Sequence, residues 1–300
     1  MTNADRQALI AALQWHIDAG ADEALADEPV DSTKAPEKAL SPGRVSGEAP
    51  AADSRAAIAS TLPASSPRPV PAREREAITG TAALRMEAIK LAAAASTLDE
   101  LKAAITAFEG IGLKKTATNL VFCDGNPASP MMLVGEAPGA DEDAQGKPFV
   151  VVSGQLLDRI LKTIGLDRAD PDPAKSLYIS NILNWRPPGN RTPTPAEIEL
   201  SLPFIERHIA LARPKILIFC GGVSAKALLG SDLGISKLRG RWHDYRPRTA
   251  DIGGEKAIPA LATYHPAYLL RTPAQKRAVW QDMLIIQQKL RTLDISKVLL

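Results

Sequence analysis

Three short runs in this chain concentrate side chains able to do chemistry. The first, GEAPG at 135–139, follows the apolar run MMLV and continues as ADEDAQGKPF. A Gly- and Pro-rich turn at a strand end brings backbone amides close to a ligand. This one also carries Glu136, Asp141, Glu142 and Asp143. Such carboxylates repel a phosphate backbone unless they face a reacting centre; otherwise they form a solvated acidic loop. Phe149 closes the segment. Ser153 and Gly154 then open SGQLLDRIL, a helix start whose exposed amides suit a phosphate.

The second run sets Asn181 at the end of LYIS, with NWRPPGNR close behind. A carboxamide offers an acceptor and a paired donor. That pair complements the O4 and N3–H edge of uracil, while cytosine presents the opposite pattern. An Asn at a strand end also forms turns. Arg186, Asn190 and Arg191 lie in a Pro-stiffened loop, which also reads as a rigid connection. The third run is TYHPAYLLR at 263–271. A His there can stabilise an anion, act as acid or base, or serve as a hydrogen-bonded structural residue. Leu269, Leu270 and Arg271 make an apolar and basic tip suited to wedging into a duplex. Alternatively, Leu269 and Leu270 begin a core-packed helix. Lys276 and Arg277 add phosphate-binding capacity.

The elements that position these runs alternate. NLVF (119–122), MMLV (131–134), LYIS (177–180), ILIFC (216–220) and ALATY (260–264) are expected strands. Helical patterns lie at 154–165, 194–212 and 224–229. Alternation of this kind predicts an α/β fold, a mostly parallel sheet flanked by helices. Ligands then gather beyond the carboxyl ends of the strands, where all three runs fall. Upstream, STLDELKAAITAF reads as a helix capped by Ser96 or Thr97, inside a helical pattern spanning 73–108. Residues 27–75 are rich in Pro, Ala and Ser, too poor in large apolar groups to offset the entropy of ordering, and are expected to be a disordered linker. Before them, Leu9, Leu13, Trp15 and Ile17 recur at helical spacing over 1–26. That short helix either packs on its own domain or docks a protein partner.

The 300 residues allow a domain with a tail, and 45% hydrophobic residues suffice for one core. A net charge of +2 does not by itself announce a nucleic-acid partner. No stretch has the length of a membrane span or the pattern of a signal peptide, so a cytoplasmic protein is expected. Cys123 and Cys220 are the only cysteines, each closing an apolar run, so a disulfide framework is not expected.

Taken together and in this order, GEAPGADEDAQGKPFVVVSGQLLDRIL, NILNWRPPGNRTPTPAEI and TYHPAYLLR resemble the family 4 uracil-DNA glycosylases. The resemblance covers about 106–290. It implies a three-layer α/β/α domain over 106–292 around a four-stranded, mostly parallel sheet; the helical pattern before it makes 76–105 a helical lead-in. It implies a monomeric DNA-repair enzyme that flips uracil out of single- or double-stranded DNA and hydrolyses its N-glycosidic bond. The alternative is a silent relative that only binds uracil or abasic DNA. On this resemblance Glu136 and Glu142 are candidates for orienting water, and His265 for stabilising the departing base. Ala137, Phe149, Asn181 and Asn190 bind uracil. Ser153, Gly154, Arg191 and Pro266 hold phosphates, and Leu270 with Arg271 fills the vacated stack.

Two departures qualify the resemblance. The family's four iron–sulfur cysteine positions carry Phe108, Ile111, Trp185 and Ser201, so neither a cluster nor another cofactor is expected. Val151 stands where the family usually has Gly. A β-branched residue there restricts the backbone and adds bulk near the uracil pocket.

Overall fold

The computed structural model describes residues 72–254 and 256–293. The N-terminal helix over 1–26 and the linker as far as 71 lie outside these residues. The last four positions of the expected linker are helical, because α1 begins at Ala72 and runs to Ala94. Helix α2, Leu98–Ala107, starts as expected: Thr97 Oγ1 accepts from the Glu100 N–H at 3.2 Å.

Strands β1 (Asp124–Gly125) and β2 (Met131–Gly135) follow, then helices α3 (Ala140–Gln145) and α4 (Val151–Lys162). Strand β3 (Tyr178–Asn181), helix α5 (Pro195–Ala212) and strand β4 (Ile216–Cys220) continue the alternation. Helices α6 (Gly222–Leu229) and α7 (Ile235–Leu238) precede strands β5 (Trp242–Tyr245) and β6 (Ile258–Thr263). Helices α8 (Pro266–Arg271) and α9 (Lys276–Thr292) close the described chain.

The six strands form one sheet in the order β1-β3-β2-β4-β6-β5. Its four central strands run parallel, matching the four expected, while β1 and β5 add antiparallel edges. Each central strand alternates between two cores. Met132, Val134, Leu217, Phe219, Ala260 and Ala262 face α1, α2, α5 and α6. Met131, Leu133, Ile216, Ile218 and Leu261 face α4, α8 and α9. A period of two with both faces apolar defines a sheet covered on both sides.

Two strand assignments need correcting. NLVF is irregular chain: the Val121 N–H donates to the Asn184 carbonyl, and Asn184 Nδ2 donates back to the Val121 carbonyl. These side chains are apolar because they pack, and the backbone does not extend into a ladder. WHDY, absent from the expected strands, pairs with β6 at the sheet edge, where one face meets solvent.

Helix α5 explains its own boundaries. Thr194 and Glu197 exchange hydrogen bonds in a capping box, Pro195 opens the first turn, and Arg213 ends the helix in a left-handed conformation. Helices α1 and α2 pack on α5, and Ala88, Ala92, Leu101 and Ile105 are buried in the same core as the sheet. Among the described residues no helix is long and apolar enough to cross a membrane.

Candidate active site

Parallel pairing brings three strand ends to one edge. Gly135 pairs with Asn181, and Cys220 pairs with Thr263, so the segments after β2, β3 and β6 emerge together. Between them lies a cavity of about 450 Å³. Glu136, Ala137, Glu142, Phe149, Ser153, Asn181, Asn190, Arg191, His265 and Arg271 all line it.

Phe149 and Asn181 reach the cavity over a strand end that has no side chain. A Cβ built on Gly135 would stand 2.3 Å from Asn181 Oδ1 and 2.6 Å from Phe149 Cζ. Only glycine leaves room for both groups there. Phe149 itself has a left-handed backbone, φ 52°, and is held from behind by Gly154. A Cβ on Gly154 would fall 1.9 Å from the Phe149 carbonyl oxygen. Gly154 is therefore a packing residue. Its N–H donates to the Val150 carbonyl, so the expected phosphate contact from this amide is corrected. Helix α4 starts at Val151, three residues before the helical pattern expected from 154, and Ser153 lies in its first turn.

His265 caps α8: its Nδ1 accepts the Ala267 N–H at 3.2 Å. With Nδ1 used as an acceptor, the proton of the neutral ring sits on Nε2, which is then a donor. Burial, aided by nearby Arg271, pushes the ring down to about 4, so it is uncharged at neutral pH. Its ring stacks against Phe149, with centroids 5.2 Å apart. Pro266 is the buried first residue of α8 and does not line the cavity. Leu269 is core, fully buried, which decides between its two readings; Leu270 is exposed.

The four acidic residues divide into separate roles. Glu142 is braced by backbone: its oxygens accept the Gly139 and Val150 N–H groups, each at 3.1 Å. Asp143 is buried and accepts from the Thr118 and Asn119 amides. Asp141 is exposed. Glu136 is half-buried at the cavity, and burial raises it above the ordinary carboxylate range. On the opposite wall Asn190 Oδ1 accepts from Arg186 Nε at 2.8 Å. Arg191 forms a two-point pair with Glu197, at 2.6 and 2.9 Å, so part of its charge is already answered.

Over residues 122–284 the sequence matches the model of the Uracil DNA glycosylase superfamily. The chain belongs to that superfamily. It is 36% identical over 190 residues to a type-4 uracil-DNA glycosylase of Archaeoglobus fulgidus, covering 62% of this chain and 89% of the relative. A type-4 uracil-DNA glycosylase of Pyrobaculum aerophilum is 37% identical over 180 residues, 57% of this chain and 83% of that one. One from Thermotoga maritima is 36% identical over 169 residues, 55% and 80%.

Sequence reasoning missed Tyr268, another residue of this cavity. It lines the cavity three positions after His265, a spacing that puts both on one side of α8. Tyr264 packs on its ring at 5.0 Å, and the Arg239 guanidinium lies over Tyr264. Arg239 pairs with fully buried Asp282 at 2.6 Å, and Asp282 accepts from Thr263 Oγ1 at 2.7 Å. This brace fixes the strand end that carries His265. Nothing in the local sequence joins Asp282 to it.

The four cluster-type positions sit away from the cavity. Phe108, Ile111 and Trp185 are buried in one apolar core, with Phe108 against Phe204 at 5.3 Å. Ser201 is buried nearby on α5, and its hydroxyl has no hydrogen-bond partner. Val151 has φ 54°, a left-handed conformation costing a β-branched residue about 1–3 kcal/mol. The expected bulk near the base pocket is corrected: Val151 does not line this cavity and faces a neighbouring groove.

Proposed function

We propose that the cavity receives a uracil flipped from DNA and that Phe149, Asn181 and His265 surround it. The chain is a uracil-DNA glycosylase, a hydrolase of N-glycosyl bonds that acts in DNA repair. The observation that carries the residue-level reading is the convergence of a stacking ring, a free carboxamide and an Nε2–H donor on one cavity.

Flipping costs roughly a few kcal/mol, and contacts to the extruded base and the DNA backbone offset it. Phe149 stacks on the base, with Ala137 and Asn190 completing its surroundings. Asn181 accepts from N3–H and donates to O4. As the glycosidic bond lengthens, negative charge grows on the base, and the His265 N–H stabilises it at O2. Glu136 orients water toward C1′ of the cationic sugar. Glu142 shapes the loop, since both its oxygens are taken by backbone amides. Ser153 lies near the phosphates, with Arg191 released in part from Glu197. Leu270 and Arg271 occupy the gap in the stack. The protein acts as a monomer on single- or double-stranded uracil-containing DNA. Residues 1–26 offer a further docking segment for a protein partner.

Glu136→Gln tests the water assignment. Uracil release is expected to slow on the order of 10²-fold. The acid limb of the rate profile, which tracks a carboxyl raised by burial, should vanish with it. A variant that keeps that limb removes Glu136 from the role.

The enzyme works without the iron–sulfur cluster typical of type-4 relatives. Such a cluster needs thiolates, and Phe108, Ile111, Trp185 and Ser201 supply none. The two cysteines lie against opposite faces of the sheet, Cys123 by one core and Cys220 inside the other. An orphaned Ser201 hydroxyl among apolar side chains is no substitute ligand. The residues present do not fit the group. Each large side chain buried in its place contributes roughly 1.5–3 kcal/mol. Protein made in iron-replete cells should contain no stoichiometric iron and no thiolate–iron absorbance; a brown, iron-loaded preparation would refute this.

A further inference from the structure

Beside the uracil cavity runs a second groove of about 280 Å³. The two share Gly139, Glu142, Ser153 and Asn190, so the groove opens from the cavity mouth. Its large exposed apolar side chains are Val151, Val152 and Leu270, which are 38%, 54% and 37% exposed. Large exposed apolar side chains are few among the described residues, and three of them meet here.

Val151 makes the arrangement more specific. Its left-handed backbone is one that glycine adopts without strain. A β-branched side chain held in that conformation stores strain, and strain persists where the side chain has work to do. The work is not structural, because Val151 is exposed and absent from both apolar cores.

We propose that Val151 and Val152, with Leu270 at their side, form a subsite for the nucleobase next to the uracil on the same strand. A strand whose uracil fills the cavity must leave through the cavity mouth, which places the next nucleotide over this groove. The faces of a base are flat and largely apolar, and apolar side chains pack on exposed base faces at disrupted steps. Specificity for the neighbour then comes from contact area and shape, with no hydrogen-bond readout. The proposal rests on the cavity holding the flipped uracil.

The test pairs a Val151→Gly/Val152→Ala variant with uracil duplexes that carry an abasic spacer beside the uracil. With the natural duplex the variant is expected to show a KM raised roughly five- to tenfold. For the wild type, the spacer should raise KM by a similar factor. Combining variant and spacer should add little, because each removes the same contact. Val151→Gly alone relieves backbone strain, so its Tm is expected to rise by about 2–4 °C, separating lost contact from lost fold. Free uracil fills the cavity without reaching the groove, and its inhibition constant should match the wild type. Independent, additive effects overturn the proposal. So does a response only to a spacer on the opposite strand. A parallel loss in free-uracil affinity places the defect in the cavity and overturns it as well.

Discussion

Replacing His265 by Ala is expected to slow uracil release by roughly 10²–10³-fold while leaving affinity for uracil-containing DNA nearly intact. The reason is the tautomer. Nδ1 already accepts the Ala267 N–H, so the ring presents Nε2–H to the cavity and can donate only there. A donor aimed at charge that develops during bond breaking lowers the barrier more than it tightens the ground state. Alanine also removes the cap of α8, so His265→Asn, which keeps a cap acceptor, is the matched control. Both should lose the chemical step in single-turnover experiments. If binding falls and the chemical step survives in both, His265 is a structural cap.

The charge state adds a pH signature to this result. Burial holds His265 at about 4, so its neutral form persists across the neutral range and its titration should not shape the rate between pH 6 and 9. Buried His208 is likewise depressed, to about 3. For both, the folded value lies below the unfolded one. Their contribution to stability is complete above about pH 6.5, declines as pH falls below that value, and is gone once pH has fallen through about 4 and 3. Acid unfolding should therefore begin while most carboxylates are still charged.

Asn181→Asp is expected to cut uracil cleavage by roughly 10–100-fold and to erode discrimination against cytosine. Asn181 is buried at the end of β3, and its side-chain carboxamide forms no hydrogen bond with the described residues. The substitution replaces the donor facing O4 with an acceptor, leaving two oxygens opposed. An ionised carboxylate there would also be costly in so enclosed a place. Relative rates on matched uracil and cytosine oligonucleotides measure the effect. Unchanged discrimination would remove Asn181 from base reading.

The fold and the central site residues were legible because the governing patterns are local. Asn181 and His265 each follow an apolar run that reads as a buried strand, Phe149 closes the loop that leaves another, and parallel strands deliver their ends to one edge. What escaped the sequence depends on contacts between distant segments. Glu142 looks like any exposed carboxylate until the Gly139 and Val150 amides are seen converging on it. Gly154 passed for a phosphate contact because its real demand, room for the Phe149 carbonyl, belongs to the preceding turn's geometry. WHDY lacked a strand's apolar signal because this edge strand is mostly accessible to solvent and buries only Tyr245. Trp185 and Phe108 are core residues whose meaning emerges only once they are found in a shared apolar cluster.

Gly135, Gly154 and Glu142 together fix the turn that carries Phe149: Gly135 leaves room for its ring, Gly154 for its carbonyl, and Glu142 accepts from the amide of the next residue. Two spaces that admit no side chain and a carboxylate that accepts from two amides order this turn before any base arrives. The base therefore enters a site that has already paid its ordering entropy during folding. Such a rigid receptor holds the cleaved base nearly as readily as the flipped nucleotide, so multiple-turnover rates should be governed by departure of the products.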